Sequence, residues 1–102
     1  MTGAEAEALL AECRRAIDTL DGQLRDLLNR RAAIVDGVVR AKEVLAIPVH
    51  EPKREEEVMR RAANGNPGPL SDEALRHIFE TIMREMRLIQ QIYMDRQREQ
   101  AK

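Results

Sequence analysis

The stretch LAECRRAIDTLDGQLRDLLNRRAAIVDGVVRAKEVL, residues 10–45, decides the fold because its apolar residues recur at alternating spacings of three and four. The positions of this seam are Leu10, Cys13, Ile17, Leu20, Leu24, Leu27, Arg31, Ile34, Val38, Ala41 and Leu45. A heptad pattern of this length, with no proline in it, predicts one long helix over about residues 5–45. At 1.5 Å per residue, about 40 residues form a rod of roughly 60 Å.

Prolines and glycines divide the remaining chain into two shorter helices. A proline-containing loop follows the long helix, and Pro52 suits the first turn of a second helix over about residues 52–63. The run NGNPGP (64–69) then breaks this helix, with Asn64 or Gly65 able to end it in the left-handed conformation.

Ser71 is the predicted cap of a third helix, which runs over about residues 71–95. The tail 95–102 loses the apolar pattern and is expected to fray. The predicted fold is therefore all-α, with residues 1–102 forming a single domain.

The length of the first helix predicts a second chain. Neither shorter helix could cover a rod of about 60 Å, so an equivalent helix from another copy is the expected partner. We expect an intertwined homodimer with long antiparallel first helices. Periodicity alone is equally consistent with a simple coiled-coil dimer.

Composition and charge exclude several classes of function. The chain has 102 residues, a net charge of −1 and 34% charged residues, so it has no overall attraction for nucleic acid or for a membrane surface. The single cysteine, Cys13, excludes an intramolecular disulfide and suits a reducing compartment. Neither a signal peptide nor a membrane span is apparent, so we expect a cytoplasmic protein.

Cations interrupt the apolar seam of the first helix. Arg31 occupies a seam position, and Lys42 lies 11 residues later, about 16 Å away on nearly the same face. Arg14, at the edge of the seam, lies about 25 Å from Arg31 along the same rod. In an antiparallel pair, Arg14 of one chain could approach Arg31 and Lys42 of the other. Spacing alone favours the simpler interpretation, in which Arg14 is a solvated charge and Arg31 sets the register or the oligomeric state of the pair.

Other polar residues lie near predicted apolar faces of the shorter helices. Arg54 shares a face with Val58, and Glu55 shares one with Met59, so both are expected at the edge of the buried side. Gln90 continues the apolar stripe of the third helix, where burial would require a hydrogen-bond partner. A structural partner is the more common explanation for a lone buried Gln.

The sequence contains no recognisable set of nucleophile and base. His50 and His77 have no companions at metal-ligand spacing, and NGNPGP lacks the ending of a phosphate-binding loop. Several cations with one Glu and one Gln suit a reaction that needs positioning and charge stabilisation. A small molecule with more than one carboxylate is the natural substrate class, because arginine binds carboxylates bidentately.

Together these residues resemble the all-helical chorismate mutase family. The matching stretches cover about nine-tenths of the chain: CRRAIDTLDGQLRDLLNRRAAIVDGVVRAKEV (13–44), IPVHEPKREEEVMRR (47–61), NPGPLSDEALRHIFETI (66–82) and IQQ (89–91). The resemblance implies an isomerase of the shikimate pathway and aromatic amino acid biosynthesis. It would convert chorismate to prephenate by a Claisen rearrangement without cofactor or metal, in sites shared between two chains.

The resemblance also implies a role for each candidate residue. Arg14 of the neighbouring chain and Arg31 would bind the substrate carboxylates, with Arg54 in the same cationic site. Lys42 and Gln90 would reach the ether oxygen from opposite sides. Glu55 would receive the ring hydroxyl. Glu51 stands where many members have Asp, and its backbone or side chain would meet the same hydroxyl. Met86 stands where many relatives have a carboxylate-binding Ser.

Two rival functions remain open from the sequence. An isochorismate-pyruvate lyase would share the fold and much of the cationic site, although Glu55 favours the mutase. A non-catalytic regulatory or dimerisation module is the second rival, because NPGPLSDEALRHIF (66–79) resembles the mutase domains of fused shikimate-pathway enzymes. Association or fusion with another enzyme of that pathway is therefore also an expectation.

Overall fold

The computed structural model describes residues 1–100 and contains three α-helices. Helix α1 spans Gly3–Leu45, α2 spans Pro52–Ala63 and α3 spans Asp72–Gln100, with no strand among the described residues. The predicted all-α fold with one long and two shorter helices is confirmed. The chain forms two compact units, Met1–Ala33 and Ile34–Lys102, so α1 contributes to both.

Capping interactions define the start of α1. The Thr2 hydroxyl accepts a hydrogen bond from the Glu5 N–H at 3.1 Å, and the Glu5 carboxylate accepts one from the Thr2 N–H at 3.4 Å. This reciprocal arrangement is a capping box, which satisfies two otherwise free backbone donors. The helix consequently begins at Gly3, slightly before the predicted start at about residue 5.

Helix α2 has the predicted bounds, and its two ends have the predicted causes. Pro52 opens the first turn. At the other end, the Asn64 N–H bonds the Arg60 carbonyl at 3.0 Å, and Gly65 follows with a φ of 72°. Gly65 rather than Asn64 therefore provides the left-handed residue.

Helix α3 is longer than predicted. The Ser71 hydroxyl accepts a hydrogen bond from the Ala74 N–H at 3.0 Å, which confirms Ser71 as the cap. The prediction that the chain frays from residue 95 is wrong as far as Gln100, because the helix continues to that residue. The side chains of Gln91 and Asp95 are joined at 3.0 Å, and no proline or glycine interrupts the segment. Residues 101–102 of the predicted tail lie outside the described part.

The unit Ile34–Lys102 has a small aliphatic core. Val35 and Val39 of α1 and Met83, Met86 and Met94 of α3 are its buried apolar residues. Their spacings of three, four or eight positions turn one face of each helix inwards. Helix α2 packs against α3 in the same unit.

The heptad seam itself is exposed in the single chain. Leu10, Ile17, Leu20, Leu24 and Leu27 are exposed in the unit Met1–Ala33, and seam residues further along are exposed in the second unit. The buried positions of α1 are instead the neighbouring Val35, Val39 and Lys42. The seam is therefore free to bind another surface, and the predicted homodimer stays a prediction.

Within residues 1–100, no helix combines the length and apolar character needed to cross a membrane. The cytoplasmic location and the single functional domain over 1–102 stay predictions.

Candidate active site

Lys42 is the centre of a polar cluster in the unit Ile34–Lys102. The residue is only 6% exposed and is the one buried charged residue in the described part of the chain. Its ammonium donates to the Val49 carbonyl at 3.1 Å and to Gln90 Oε1 at 2.9 Å, and it lies 2.9 Å from Glu51 Oε1. Three acceptors match the three donors of an ammonium, so burial leaves none of them unpaired.

Helix periodicity brings Lys42 and Gln90 together. Lys42 follows Val39 on the inward face of α1, and Gln90 lies between Met86 and Met94 on the inward face of α3. Residues three or four positions apart share a helix face, so each polar side chain enters the core beside apolar neighbours. The sequence therefore places one half-buried amide and one buried ammonium at the meeting point of two helices.

The end of α1 brings the Val49 carbonyl back to Lys42. Ala46 has a positive φ of 56°, and the Ile47 N–H donates to the Lys42 backbone carbonyl at 3.0 Å. This left-handed residue with a bond from the second position after the helix is the pattern of a Schellman cap. It reverses the chain within two residues, so the next loop passes over the Lys42 ammonium.

Hydrogen-bond accounting fixes the orientation of the Gln90 amide. Lys42 carries only donors, so Gln90 must face it with its carbonyl oxygen, which is the atom at 2.9 Å. The two N–H donors of Gln90 then point elsewhere. The pair therefore offers a cation and a neutral donor side by side, which suits an acceptor oxygen that gains negative charge.

Glu55 forms the second polar group of this unit. Its carboxylate is 20% exposed and accepts a hydrogen bond from the Arg87 guanidinium of α3 through Oε1. The other oxygen, Oε2, lies 4.0 Å from His50 Nε2. The prediction that Glu55 stands at the edge of the buried side is confirmed, and its role toward a substrate stays a prediction.

Arg54 was predicted to stand at the edge of the buried side of α2. Its side chain is instead exposed and pairs with Glu57 at 2.7 Å, one turn further along α2. Glu57 also pairs with Arg61 at 3.3 Å. The prediction is wrong for the Arg54 side chain, because the neighbouring carboxylate holds the guanidinium on the solvent side. Its predicted contact with substrate is a separate matter and remains a prediction.

The other predicted site residues lie at the following places. Met86 is buried in the core of the unit Ile34–Lys102. Arg14 and Arg31 belong to the unit Met1–Ala33, where Arg14 is exposed and Arg31 is half-buried. The functional roles of all three stay predictions.

Two contacts of the cluster were not anticipated by the sequence reasoning. The Val49 carbonyl could not be found, because no side-chain pattern signals a backbone acceptor. Arg87 could have been found, since it lies three residues before Gln90 and four after Met83 on α3.

The described residues contain no group of three or more His, Cys, Asp or Glu side chains that could hold a metal ion.

These features define an all-helical protein in which a buried ammonium and a half-buried amide form a pair suited to a small polar ligand. The chain belongs to the chorismate mutase type II family, whose sequence profile matches residues 13–91.

The chain is similar to part of each of two longer proteins. A bifunctional chorismate mutase/prephenate dehydratase of Neisseria gonorrhoeae is 39% identical over 79 residues, which is 78% of this chain and 21% of that protein. One of the same description from Aquifex aeolicus is 33% identical over 78 residues, 72% of this chain and 22% of that protein. The chain thus spans about a fifth of the length of these two relatives.

The fold is also similar to solved structures. The crystal structure of a chorismate mutase from Helicobacter pylori in complex with prephenate has a TM-score of 0.80 and 30% sequence identity. The similarity covers 86% of this chain and 96% of that one.

Proposed function

We propose that this protein is a chorismate mutase that rearranges chorismate to prephenate. Family membership supports the proposal, and so does the likeness to a Helicobacter pylori protein solved with prephenate. The observation that carries it is the buried Lys42 ammonium beside the Gln90 amide, at 2.9 Å. This pair supplies the donors that the rearrangement requires.

The chemistry needs charge stabilisation more than a reactive side chain. In the rearrangement, the ether C–O bond breaks as a C–C bond forms within one molecule, and negative charge grows on the ether oxygen. Lys42 and the free N–H donors of Gln90 would stabilise that oxygen. One donor of this kind typically contributes a factor of about 10²–10³ to kcat. No proton need be transferred, which agrees with the absence of a nucleophile–base set in the sequence.

Glu51 is the partner of Lys42 that substrate would replace. All three donors of the ammonium are used, by Val49, Gln90 and Glu51. The Glu51 side chain is 38% exposed and can turn away from Lys42, whereas the Val49 acceptor is a backbone carbonyl. A substrate carboxylate or ether oxygen would therefore take the place of the Glu51 carboxylate on Lys42, and Glu51 would then be available to meet the ring hydroxyl.

The remaining site residues would bind the rest of the substrate. Arg31 and Arg54, with Arg14 from a second chain, would hold the two carboxylates of chorismate. Arg54 would first exchange its contact with Glu57 for the substrate. Glu55 would accept the ring hydroxyl, and this contact favours the mutase over an isochorismate-pyruvate lyase.

Offering chorismate and isochorismate separately, with products followed by NMR, distinguishes these two activities. We expect prephenate from chorismate. Pyruvate released from isochorismate, with chorismate unchanged, would identify the lyase instead.

The exposed seam supports a homodimer as part of the proposal. A run of leucines and isoleucines on α1 is exposed in the single chain, and a solvated heptad seam is costly for an isolated helix. Light scattering should give twice the chain mass of 11.7 kDa. A monomer at micromolar concentration would contradict the shared site.

The bifunctional relatives support a further partner. This chain corresponds to about a fifth of two proteins described as chorismate mutase/prephenate dehydratases. Association with a later enzyme of the same pathway is therefore part of the proposal. A purely regulatory module is the alternative, and it would leave chorismate at its uncatalysed rate of rearrangement.

A further inference from the structure

The Glu55–Arg87 pair links two helices at the edge of the candidate site. Glu55 belongs to α2 and Arg87 to α3, and the guanidinium donates to Glu55 Oε1. The side chains are 20% and 33% exposed, respectively. By contrast, the contacts of Glu57 with Arg54 and Arg61 remain within α2 and are more exposed. The partial burial sets the Glu55–Arg87 pair apart from a solvated surface pair.

The pair constrains what the Glu55 carboxylate can do. A carboxylate has two oxygens with about four acceptor sites, so one contact with Arg87 leaves room for another donor. The guanidinium fixes Oε1, and His50 Nε2 lies 4.0 Å from Oε2, beyond hydrogen-bond distance. Oε2 is therefore the oxygen that we assign to the substrate hydroxyl.

We propose that Arg87 is a positioning residue that holds Glu55 for recognition of the substrate's ring hydroxyl. This inference rests on the proposed function, because the hydroxyl belongs to chorismate. Arg87 acts through Glu55 and touches neither reacting atom. It fixes the rotamer of the carboxylate, so that binding of the hydroxyl does not first require ordering the side chain.

A positioning role predicts a specific split between kinetic constants. None of the bonds of the ring hydroxyl is made or broken in the rearrangement, so we expect its contact to contribute about equally to ground state and transition state. Loss of such a contact raises KM and leaves kcat unchanged. Arg87→Met should raise KM for chorismate roughly ten-fold, the effect of losing one charge-assisted hydrogen bond.

The decisive experiment compares chorismate with an analogue whose ring hydroxyl is replaced by hydrogen. Wild type, Arg87→Met, Arg87→Lys and the control Arg84→Met would be assayed with both compounds. Arg84 is exposed on the same helix, so Arg84→Met should behave as wild type. With the analogue, Arg87→Met should have the same KM as wild type. With chorismate, the KM of Arg87→Lys should lie between those of wild type and Arg87→Met, because lysine keeps the charge.

A double-variant measurement separates positioning from structural support. Glu55→Ala combined with Arg87→Met should bind chorismate no worse than Glu55→Ala alone, since Arg87 acts only through Glu55. An equal rise in KM for chorismate and the analogue would overturn the inference, as would an unchanged KM in Arg87→Met. Should Arg87→Met fail to fold, Arg87→Lys carries the same comparison. Wild type that leaves chorismate unconverted would instead refute the proposed function, and the inference with it.

Discussion

Replacing Lys42 by methionine removes the central charge of the candidate site. Methionine keeps much of the length of the lysine stem, so the buried path through the core is preserved. The variant loses the ammonium that contacts the Val49 carbonyl, Gln90 and Glu51. The ether oxygen would then lose its cationic donor, and kcat should fall by at least about 10²–10³-fold.

The folding stability of Lys42→Met should change by only a few kcal/mol. The Val49 and Gln90 carbonyls each lose a donor, at about 1–3 kcal/mol for a fully buried unsatisfied group, and both residues are only half-buried. Burial of the methionine side chain offsets this by about 1.5–3 kcal/mol. Glu51 is 38% exposed and can turn to water. Two such losses against one gain give a net loss between about −1 and +4.5 kcal/mol, so the folding of the variant is measured together with its activity.

The assay follows the disappearance of chorismate, with circular dichroism and a thermal melt on the same samples. Lys53→Met is the matched control, because Lys53 is an exposed lysine on α2 and should keep wild-type kinetics. The reasoning is refuted if folded Lys42→Met retains kcat/KM within about five-fold of wild type, since no transition-state contact would then have been lost.

Two further variants test the same site. Gln90→Glu places a carboxylate beside Lys42. Only the protonated carboxyl can donate to the ether oxygen. The activity of the variant should therefore rise as the pH falls toward about 4.3, the ordinary pKa of a glutamic acid. A pH profile parallel to that of wild type would count against Gln90 as the donor. Met86→Ser should lower KM, because a hydroxyl can bond a substrate carboxylate, while stability falls by about 2–5 kcal/mol for a buried methionine. An unchanged or raised KM in folded Met86→Ser would rule out that role.

Helix boundaries followed the sequence wherever local chemistry determines them. Pro52 and Gly65 fixed both ends of α2, and Ser71 fixed the start of α3. The end of α3 was predicted less well, because a loss of apolar periodicity signals exposure and not the end of a helix. The segment beyond residue 95 contains good helix formers and no breaker, so it stays helical to Gln100.

The candidate site was predictable where a polar residue interrupts an apolar face. Lys42 and Gln90 both do so, and the structure brings them within 2.9 Å. The exposure of Arg54 was predicted wrongly, because helix periodicity alone does not show that a nearby carboxylate, Glu57, binds the guanidinium on the solvent side. The place of Arg87 beside Gln90 on α3 was readable from its spacing, but its contact with Glu55 was not, because Glu55 lies on another helix. Contacts between helices depend on packing geometry, which a single sequence does not specify.

Mixing two inactive variants tests the central claim, a mutase site built from two chains, most directly. Arg14→Ala and Arg31→Ala would each be purified, shown to lack activity toward chorismate, then unfolded together and reassembled. In a symmetric dimer, random pairing makes half of the dimers mixed, and each mixed dimer contains one intact site. The account predicts recovery of about a quarter of wild-type activity. Absence of recovery, with subunit exchange demonstrated by mass spectrometry of tagged chains, would contradict it.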